Sequence, residues 1–415
     1  MNEKDFPILK NLKNNRLHYL DNAATTQKPK IVIDALRYFY EHDNANAHRG
    51  VYKLAEQATA MLNDARMAFS RFINAEADEI IFTKNATEGF NQLAASIEKT
   101  FIIDPKHNIA TTEIEHHSNF VPWQQLCKRT GAEFRIAKYE IKDDSIQDIS
   151  RLVDENTVVA AFTAMSNVSG LKPDIKDIIK KIRKINPDTI IIIDATQLIA
   201  HERVDVKRLD ADFICFSAHK IYGTTGVGIV YGKKLLLEKL EPFFYGGNMI
   251  STVSIDESTW ADVPEKFEAG TIDVAGIYAS SMAIKYLESI GYEKLMEQEQ
   301  VLKKYLLAEL GKIRYVKIIG HNSKNNKNNN NNKSKNNNNY GPVVSFVVDK
   351  VHPHDLATIA DRHDVCIRAG HHCCQPFMDA LKVNATARAS ISFYNNKKDI
   401  DKLISAIKDA HKIIG

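Results

Sequence analysis

The chain has 415 residues, of which 44% are hydrophobic and 26% are charged, and its formal net charge is only +3. These values are ordinary for a globular protein, and they provide no electrostatic basis for binding nucleic acid or a membrane surface. A chain of this length usually exceeds one hydrophobic core, so we expect two domains of unequal size.

Apolar runs alternate with helix-length amphipathic stretches through the first two thirds of the chain. The runs are Asn108–Ala110, Val158–Ala164, Thr189–Asp194 and Phe213–Ser217, and helical periodicity marks Asn119–Thr130 and Ile175–Ile185. This alternation predicts an α/β fold with a mostly parallel sheet covered by helices on both faces. Ligands of such sheets bind at the carboxyl ends of strands, so the polar residues that follow each run are the site candidates.

The pattern changes at about residue 285 to a long helix over Gly291–Lys312, then short strands and helices up to Gly415. We therefore expect a large domain over 18–284 and a smaller α+β domain formed by 1–17 and 285–415. Residues 322–339 are almost entirely Asn with Lys and Ser. Such a tract buries too little apolar surface to fold, which predicts a disordered, solvated loop without a role in the chemistry.

The amino terminus and the cysteines indicate the compartment. The opening MNEKDFPILK is too polar for a secretory signal, and the chain has no apolar run long enough to span a membrane. Its five cysteines are an odd number. We expect a cytoplasmic protein whose cysteines are thiols, because a reducing compartment does not maintain disulfides.

Two charged residues follow separate apolar runs. Lys220 comes shortly after Phe213–Ser217, and a lysine amine in a partly dry pocket attacks carbonyl groups. Asp194 ends the isoleucine run, where a carboxylate can keep a pyridine nitrogen protonated, and Gln197 could then reach the ring hydroxyl. Alone, each would be an exposed lysine or a helix N-cap. Together they favour a pyridoxal phosphate site.

A histidine pair and a helix start supply further candidates. His116 lies in Glu115–Asn119 after a third run, and its imidazole suits stacking on a pyridine ring and proton transfer. A surface pair or a pair of metal ligands is the alternative, although adjacent side chains on an extended backbone point in opposite directions. Asn85–Gly89 precedes a helix, whose N-terminus could bind a phosphate.

The most specific local pattern is Ile367–Pro376. Cys373 lies there in a Gly-His-His turn, five residues after Arg368, and cationic and imidazole neighbours favour a thiolate. Fifteen residues beyond Cys373, Arg388 offers a bidentate fork suited to a substrate α-carboxylate. A buried apolar role or half a metal site is the alternative for the cysteines. Zinc would need a second, spaced cysteine pair, which the sequence lacks, so no metal is predicted.

Nine ordered motifs along nearly the whole chain resemble the Suf-type (group II) cysteine desulfurases, within the class-V aminotransferase-like enzymes of pyridoxal phosphate (PLP) fold type I. The motifs are Tyr19–Thr25, His48–Gly50, Asn85–Gly89, Glu115–His117, Ser166–Val168, Asp194–Gln197, Ser217–Lys220, Phe267–Thr271 and Arg368–Cys373. The resemblance implies a large domain with a mostly parallel seven-stranded sheet and a smaller α+β domain.

The resemblance also implies roles for single residues. Lys220 would form the Schiff base with PLP, Cys373 would be the nucleophile that becomes a persulfide, and His116 would stack on the ring. The implied PLP ligands are Ala86, Thr87, His116, Asp194, Gln197, Ser217, His219 and Lys220, with Thr271 supplied by a neighbouring subunit. The implied substrate-binding residues are Asn167, Arg368 and Arg388. A shared ligand such as Thr271 implies a homodimer with composite active sites.

The implied reaction converts L-cysteine to L-alanine and passes the sulfur from Cys373 to an acceptor protein of the Suf system, for iron–sulfur cluster assembly. The alternatives are a selenocysteine lyase, a class-V aminotransferase and a scaffold without activity. A transaminase needs no thiol at Cys373, whereas selenocysteine cleavage needs less help from it, so the chain could cleave both substrates. A scaffold is disfavoured by the combined presence of Lys220, Asp194, His116, Cys373 and Arg388.

One departure from the family pattern is Cys374, which stands where a small residue is usual. A second thiol beside Cys373 could accept or scavenge sulfur.

Overall fold

The computed structural model describes residues 3–10, 17–48, 50–321 and 339–415. The predicted Asn-rich loop falls outside the described residues except for Asn339.

A seven-stranded sheet forms the centre of the fold. In spatial order its strands are β2 (Ile80–Thr83), β10 (Gly228–Gly232), β9 (Phe213–Ser217), β8 (Ile190–Asp194), β7 (Thr157–Thr163), β3 (Asn108–Thr112) and β4 (Glu133–Ala137). Strand β10 runs antiparallel to both of its neighbours, and the other neighbouring pairs are parallel. The predicted α/β class with a mostly parallel seven-stranded sheet is therefore confirmed, and one antiparallel strand makes the sheet mixed.

The isoleucines of β8 show how the sheet is buried. Ile191 and Ile193 pack into the hydrophobic cluster on one face, and Ile190 and Ile192 pack into the cluster on the other. Successive side chains of a strand point to opposite faces, so a strand covered on both sides needs a continuous apolar run. Full burial of one such side chain stabilises the fold by about 1.5–3 kcal/mol.

Helices cover both faces of this sheet. On one side are α1 (Lys30–Tyr38), α2 (Lys53–Ile73), α5 (Ile175–Ile185), α6 (Val206–Leu209) and α8 (Val274–Ile290), and on the other are α3 (Ala86–Thr100), α4 (Val121–Thr130) and α7 (Lys234–Lys239). The helices predicted over Asn119–Thr130 and Ile175–Ile185 are confirmed. The first begins two residues later than predicted, because Asn119 belongs to a 3₁₀ turn.

A smaller antiparallel sheet lies in the second part of the chain. Its order is β13 (Val316–Ile319), β14 (Val343–Val348), β17 (Thr386–Ser390) and β16 (Arg368–Gly370). The accompanying helices are α9 (Tyr292–Gly311), α10 (Pro353–Asp361), α11 (Gln375–Leu381) and α12 (Lys397–Ile414). Leu306, Phe346 and Leu403 are among the residues of a separate hydrophobic cluster here. The long helix predicted over Gly291–Lys312 corresponds to α9.

The amino-terminal segment contacts both the hydrophobic cluster of the smaller sheet and one of the two clusters of the large sheet. Strand β1 (His18–Tyr19) pairs in parallel with β15 (Val365–Cys366), and Leu20 packs into the smaller cluster while Ala23 packs into the larger. Residues 19–25 therefore run along the junction. The domain boundaries at 17/18 and 284/285 stay predictions.

Two hairpins complete the strands: β5 (Tyr139–Glu140) with β6 (Ser145–Ile146), and β11 (Ile250–Val253) with β12 (Ser258–Trp260).

Among the described helices, none combines the length and apolar character needed to cross a membrane.

Candidate active site

Lys220 and Asp194 lie at the carboxyl ends of adjacent parallel strands. Lys220 ends a 3₁₀ turn directly after β9, and its Nζ donates a hydrogen bond to the carbonyl oxygen of Ala23. Burial, aided by the positive charge of Arg388, lowers the pKa of Lys220 to about 7. A large fraction of the amine is therefore neutral near pH 7, and the neutral form is the nucleophile and base.

Asp194 is buried, and its Oδ1 accepts a hydrogen bond from the backbone N–H of Thr196 at 2.9 Å. Burial raises the pKa of this carboxyl above its usual value, and the contact with Thr196 and the charge of Lys220 oppose the rise. No cationic side chain is hydrogen-bonded to Asp194 within the described ranges. A protonated pyridine nitrogen would supply the missing cation, so the residue fits the predicted cofactor.

The carbonyl of Ala23 connects Gln197 to Lys220. Gln197 Nε2 donates to this oxygen at 2.9 Å, and Lys220 Nζ donates to the same atom. Sequence reasoning did not identify Ala23, because a backbone acceptor has no side chain that marks it.

The start of α3 forms a corner whose groups suit an anion. The backbone N–H of Ala86 donates to Ser217 Oγ at 2.9 Å, and Asn85 caps the helix by accepting from the N–H of Glu88 at 2.9 Å. Gly228 allows this approach, since a Cβ there would lie 2.4 Å from the carbonyl carbon of Asn85. A helix N-terminus with a hydroxyl beside it suits a phosphate.

Ser118 links His116 to the same corner. Its Oγ lies 2.9 Å from His116 Nδ1 and 2.6 Å from Thr87 Oγ1. Burial is the main cause that lowers the pKa of His116 to about 4, and burial likewise lowers the pKa of His219 to about 3. Both rings are therefore neutral at physiological pH. Ser118 had no assigned role in the sequence, although it lies within the Glu115–Asn119 motif.

Glu115 anchors the turn that carries His116. It is fully buried and accepts hydrogen bonds from Thr112 Oγ1 at 2.5 Å, Asn119 Nδ2 at 2.7 Å and the N–H of Thr163 at 2.9 Å. Burial raises its pKa to about 8 in spite of these donors. The carboxyl ties the turn to β3 and β7.

Arg388 and Asn167 form the predicted substrate-binding part of the site. Arg388 is 1% exposed and donates from Nη1 to the Asn167 carbonyl oxygen at 2.8 Å. Asn167 Nδ2 donates to the carbonyl oxygen of His372 at 2.6 Å. Arg368 lies opposite Arg388 in the smaller sheet, but its side chain is half-exposed. Asn167 therefore joins the arginine to the turn that presents Cys373.

The Cys373 turn adopts an unusual backbone conformation. His372 and Cys373 have φ angles of +54° and +55°, a region that costs about 1–2 kcal/mol per non-glycine residue. The cost is offset by hydrogen bonds to the segments that follow β7 and β3: Asn167 binds the His372 carbonyl, and the N–H of His117 binds the Cys373 carbonyl at 2.7 Å. The Cys373 thiol itself is exposed.

His117, to which sequence reasoning gave no role, binds the turn a second time. Its Nε2 accepts a hydrogen bond from the N–H of Gln375 at 3.0 Å. This nitrogen must therefore be unprotonated, and the pKa of His117 is lowered by burial and by His371, which favours the neutral ring. The two histidines therefore make different contacts. His116 faces Ser118, whereas His117 binds Cys373 and Gln375, the residues on either side of Cys374.

We expect His117→Ala to loosen this turn. One hydrogen bond is worth about 0.5–1.5 kcal/mol, so alkylation of Cys373 by iodoacetamide should become about two- to tenfold faster, with kcat reduced in the same range. Mass spectrometry of the alkylated peptide gives the rate. His117→Gln offers an amide oxygen to Gln375 and should restore part of the effect, whereas equal alkylation rates in all three proteins would contradict a positioning role.

Cys374 points away from the solvent. It is 0% exposed and packs with Ile114, Val168 and Phe377, and burial holds the pKa of its thiol well above the usual value. A buried, protonated thiol is a poor acceptor of sulfur. The structure therefore favours a packing role over the sulfur-accepting role that the sequence left open.

Cys374→Ala should consequently keep activity within about twofold of wild type, because no reacting atom is removed. It should lower the melting temperature by about 1 °C per kcal/mol of lost packing, because the entropy of unfolding grows with chain length. Scanning calorimetry and an alanine-release assay test both points. Loss of turnover in this variant without loss of thermal stability would speak against the packing role.

Thr271 is exposed and lines two concavities. One is shared with Asn46, His48 and Gly270, and the other with Glu88 at the start of α3. That position is compatible with the expected donation to a neighbouring subunit. Within the described part of the chain, no cluster of three or more His, Cys, Asp or Glu residues could hold a metal ion.

Comparison with known proteins identifies the class. Residues 18–403 match the family model "Aminotransferase class-V", so the chain belongs to the class-V aminotransferase family. Several relatives are named cysteine desulfurases, and the predicted PLP-dependent cysteine desulfurase class and the PLP cofactor are confirmed. A probable cysteine desulfurase of Streptomyces coelicolor is 40% identical over 99% of this chain and 97% of its own length. A Salmonella newport cysteine desulfurase is 38% identical, covering 99% and 98%.

Solved structures agree with the sequence relatives. The apo structure of the cysteine desulfurase from Thermococcus onnurineus NA1 has a TM-score of 0.90 and 32% identity, covering 99% of this chain and 97% of its own. The cysteine desulfurase CsdA from Escherichia coli, in an S-sulfonic acid form, has a TM-score of 0.88 and 30% identity, covering 99% and 98%. The cystine C–S lyase C-DES is 18% identical and shares the fold.

Proposed function

We propose that this protein converts L-cysteine to L-alanine and takes the sulfur as a persulfide on Cys373. One observation carries the proposal: an exposed thiol stands on a turn that Asn167 connects by hydrogen bonds to a buried arginine. Such a connection holds the nucleophile at a set position relative to a bound substrate carboxylate.

Binding begins at Arg388, whose guanidinium is suited to the α-carboxylate of L-cysteine, with Asn167 and Arg368 beside it. The Lys220 amine is placed to remove the proton from the α-carbon, because its lowered pKa of about 7 leaves a neutral base. PLP supplies the electron sink for the resulting negative charge. Asp194 would hold the pyridine nitrogen, Gln197 the ring hydroxyl, and His116 would lie on the ring. Ala86, Thr87, Ser217 and His219 would bind its phosphate.

The sulfur step forms one bond and breaks another. The Cys373 thiolate attacks the substrate sulfur, the new S–S bond forms, and the electron pair of the Cβ–S bond goes to the substrate carbon. Protonation of that carbon yields L-alanine. The carbon is reduced and the sulfur is oxidised to the persulfide level, so no external oxidant is required. Orientation of the two sulfurs can contribute about 7–11 kcal/mol of barrier lowering.

The persulfide itself tests the proposal. The protein is incubated briefly with ³⁵S-labelled L-cysteine, digested under non-reducing conditions and mapped by mass spectrometry. We expect the label on Cys373 and one L-alanine per labelled thiol. Label on Cys366 or Cys127, with Cys373 unlabelled, would refute the assignment.

Selenocysteine is the second substrate that we propose. The same carboxylate and amine contacts would bind it, and a selenol leaves carbon with less assistance from Cys373. Cys373→Ser should therefore retain more activity on selenocysteine than on cysteine. Equal losses on both substrates would contradict this.

We further propose a homodimer with composite sites, in which Thr271 of one subunit completes the phosphate site of the other. The exposed position of Thr271 supports this arrangement. Sedimentation equilibrium measures the mass, and Thr271→Ala should weaken PLP binding; a monomer that retains PLP would contradict it.

The acceptor that we propose is a sulfur-carrier protein of the Suf system, serving iron–sulfur cluster assembly in the cytoplasm. The exposed Cys373 supports direct transfer to a protein thiol. Transfer of ³⁵S to a purified Suf carrier is the measurement, and turnover unaffected by such a carrier would count against it.

A further inference from the structure

Asp21 stands between the two arginines of the site. Its Oδ1 accepts a hydrogen bond from Arg388 Nη2 at 3.0 Å, and its Oδ2 lies 3.8 Å from Arg368 Nε. The residue belongs to the Tyr19–Thr25 motif, but neither the sequence nor the proposed mechanism gives it a role. Its carboxylate is hydrogen-bonded to Arg388, the same residue to which the mechanism assigns the substrate carboxylate.

The backbone holds Asp21 at this place. Asp21 forms a parallel bridge with Ser390, and the following two residues bind the same serine: Ala23 N–H donates to Ser390 Oγ at 2.8 Å, and Asn22 Nδ2 donates to its carbonyl oxygen at 2.7 Å. Ser390 is two residues after Arg388 on β17. The aspartate and the arginine are therefore carried by paired segments, which fixes the backbone of Asp21 relative to β17.

The guanidinium of Arg388 already has hydrogen-bond partners on two of its nitrogens. Nη1 binds the carbonyl of Asn167 and Nη2 binds Asp21, whereas Nε is buried without a hydrogen-bond partner among the described residues. Burial lowers the pKa of Arg388, and the charge of Asp21 opposes that effect. A substrate carboxylate that binds Arg388 would meet a guanidinium whose charge Asp21 already partly neutralises, and it would be repelled by Asp21.

We propose that Asp21 is a specificity-determining residue, a fixed counter-ion that shares Arg388 with the substrate and limits the affinity for α-carboxylates. The inference rests on the proposed function, in which Arg388 binds the α-carboxylate. Asp21 stabilises the substrate-free arginine, so each bound carboxylate has to share that charge. Because L-alanine carries the same carboxylate as L-cysteine, the counter-ion also promotes release of the product.

The test compares two ligands that differ only in the carboxylate. Dissociation constants of L-alanine and of ethylamine are measured by titration calorimetry on the PLP-loaded enzyme. Asp21→Asn should bind L-alanine about tenfold more tightly, which corresponds to about 1.4 kcal/mol, while the affinity for ethylamine changes by less than about twofold. The KM for L-cysteine should fall, and kcat should fall as product release slows. Asp34→Asn, an exposed carboxylate paired with Lys30, is the matched control and should change neither constant.

Two further variants separate the possible failures. Arg388→Gln should reduce the affinity for L-alanine to that for ethylamine; an unchanged affinity would refute the proposed role of Arg388 itself. If Arg388→Gln weakens L-alanine but Asp21→Asn leaves it unchanged or weaker, the inference about Asp21 is overturned and the proposed function stands. Asp21→Ser replaces Asp21→Asn, with the same expectation, if the latter does not fold. A further outcome is that the single variants at Asp21 each fail to fold while the double variant Asp21→Asn with Arg388→Gln, which removes both charges of the pair, folds. That result would show that Asp21 serves only to neutralise Arg388 in the folded protein, and it would also overturn the inference.

Discussion

Cys373→Ser is expected to reduce L-alanine release from L-cysteine by about 10³-fold or more, equivalent to about 4 kcal/mol of barrier. A serine hydroxyl is not ionised at neutral pH and does not attack sulfur, whereas the nucleophile required here is a thiolate. Binding of L-cysteine should be preserved, because Lys220, Asp194 and Arg388 are unchanged. Amino-acid analysis of the product and the visible absorbance of the bound cofactor give the two readouts.

Cys374→Ala is the matched control for this variant, since it removes the neighbouring thiol without touching the exposed one. A Cys373→Ser protein that releases alanine at the wild-type rate, or one in which Cys374 carries the first persulfide, would show that the assignment of the nucleophile is wrong.

Lys220→Ala is expected to abolish turnover and the covalent link to PLP. In the proposed mechanism this amine is both the attachment point and the base, and loss of a general base alone costs about 10²–10⁴-fold. Reduction with borohydride followed by mass spectrometry should find PLP on Lys220 in the wild type and no modified lysine in the variant. The phosphate contacts at the start of α3 remain, so PLP should still bind noncovalently.

Lys28 provides a sharp control for this experiment. Its Nζ donates to the carbonyl oxygen of His219 at 3.0 Å, and burial lowers its pKa to about 7, as it does for Lys220. Lys28→Ala should therefore keep the reducible link on Lys220. A link that disappears in Lys28→Ala and persists in Lys220→Ala would reverse the assignment.

The sequence by itself determined the fold class, and it was sufficient to single out Lys220 and Asp194 as candidates for the site. The four isoleucines of β8 predict a doubly covered parallel strand, because burial on both faces requires an apolar side chain at every position. Lys220 and Asp194 could be recognised because Asp194 ends such a strand and Lys220 lies just past another, and parallel strands bring their carboxyl ends to one edge. Both inferences use information within a few residues along the chain.

Only the tertiary structure decided how these groups are held and tuned. The bond between Gln375 and His117 joins residues 258 positions apart, and the pairing of Arg388 with Asp21 spans 367 positions. The burial of Cys374 likewise depends on a small hydrophobic cluster in which distant residues such as Ile114 and Val168 pack with Phe377 of α11. Periodicity along a chain records which face of an element is covered, but it carries no information on the distant side chain that covers it. Those contacts are made where Arg388 and the turn around Cys373 meet Asp21, Asn167 and His117, which come from distant parts of the chain.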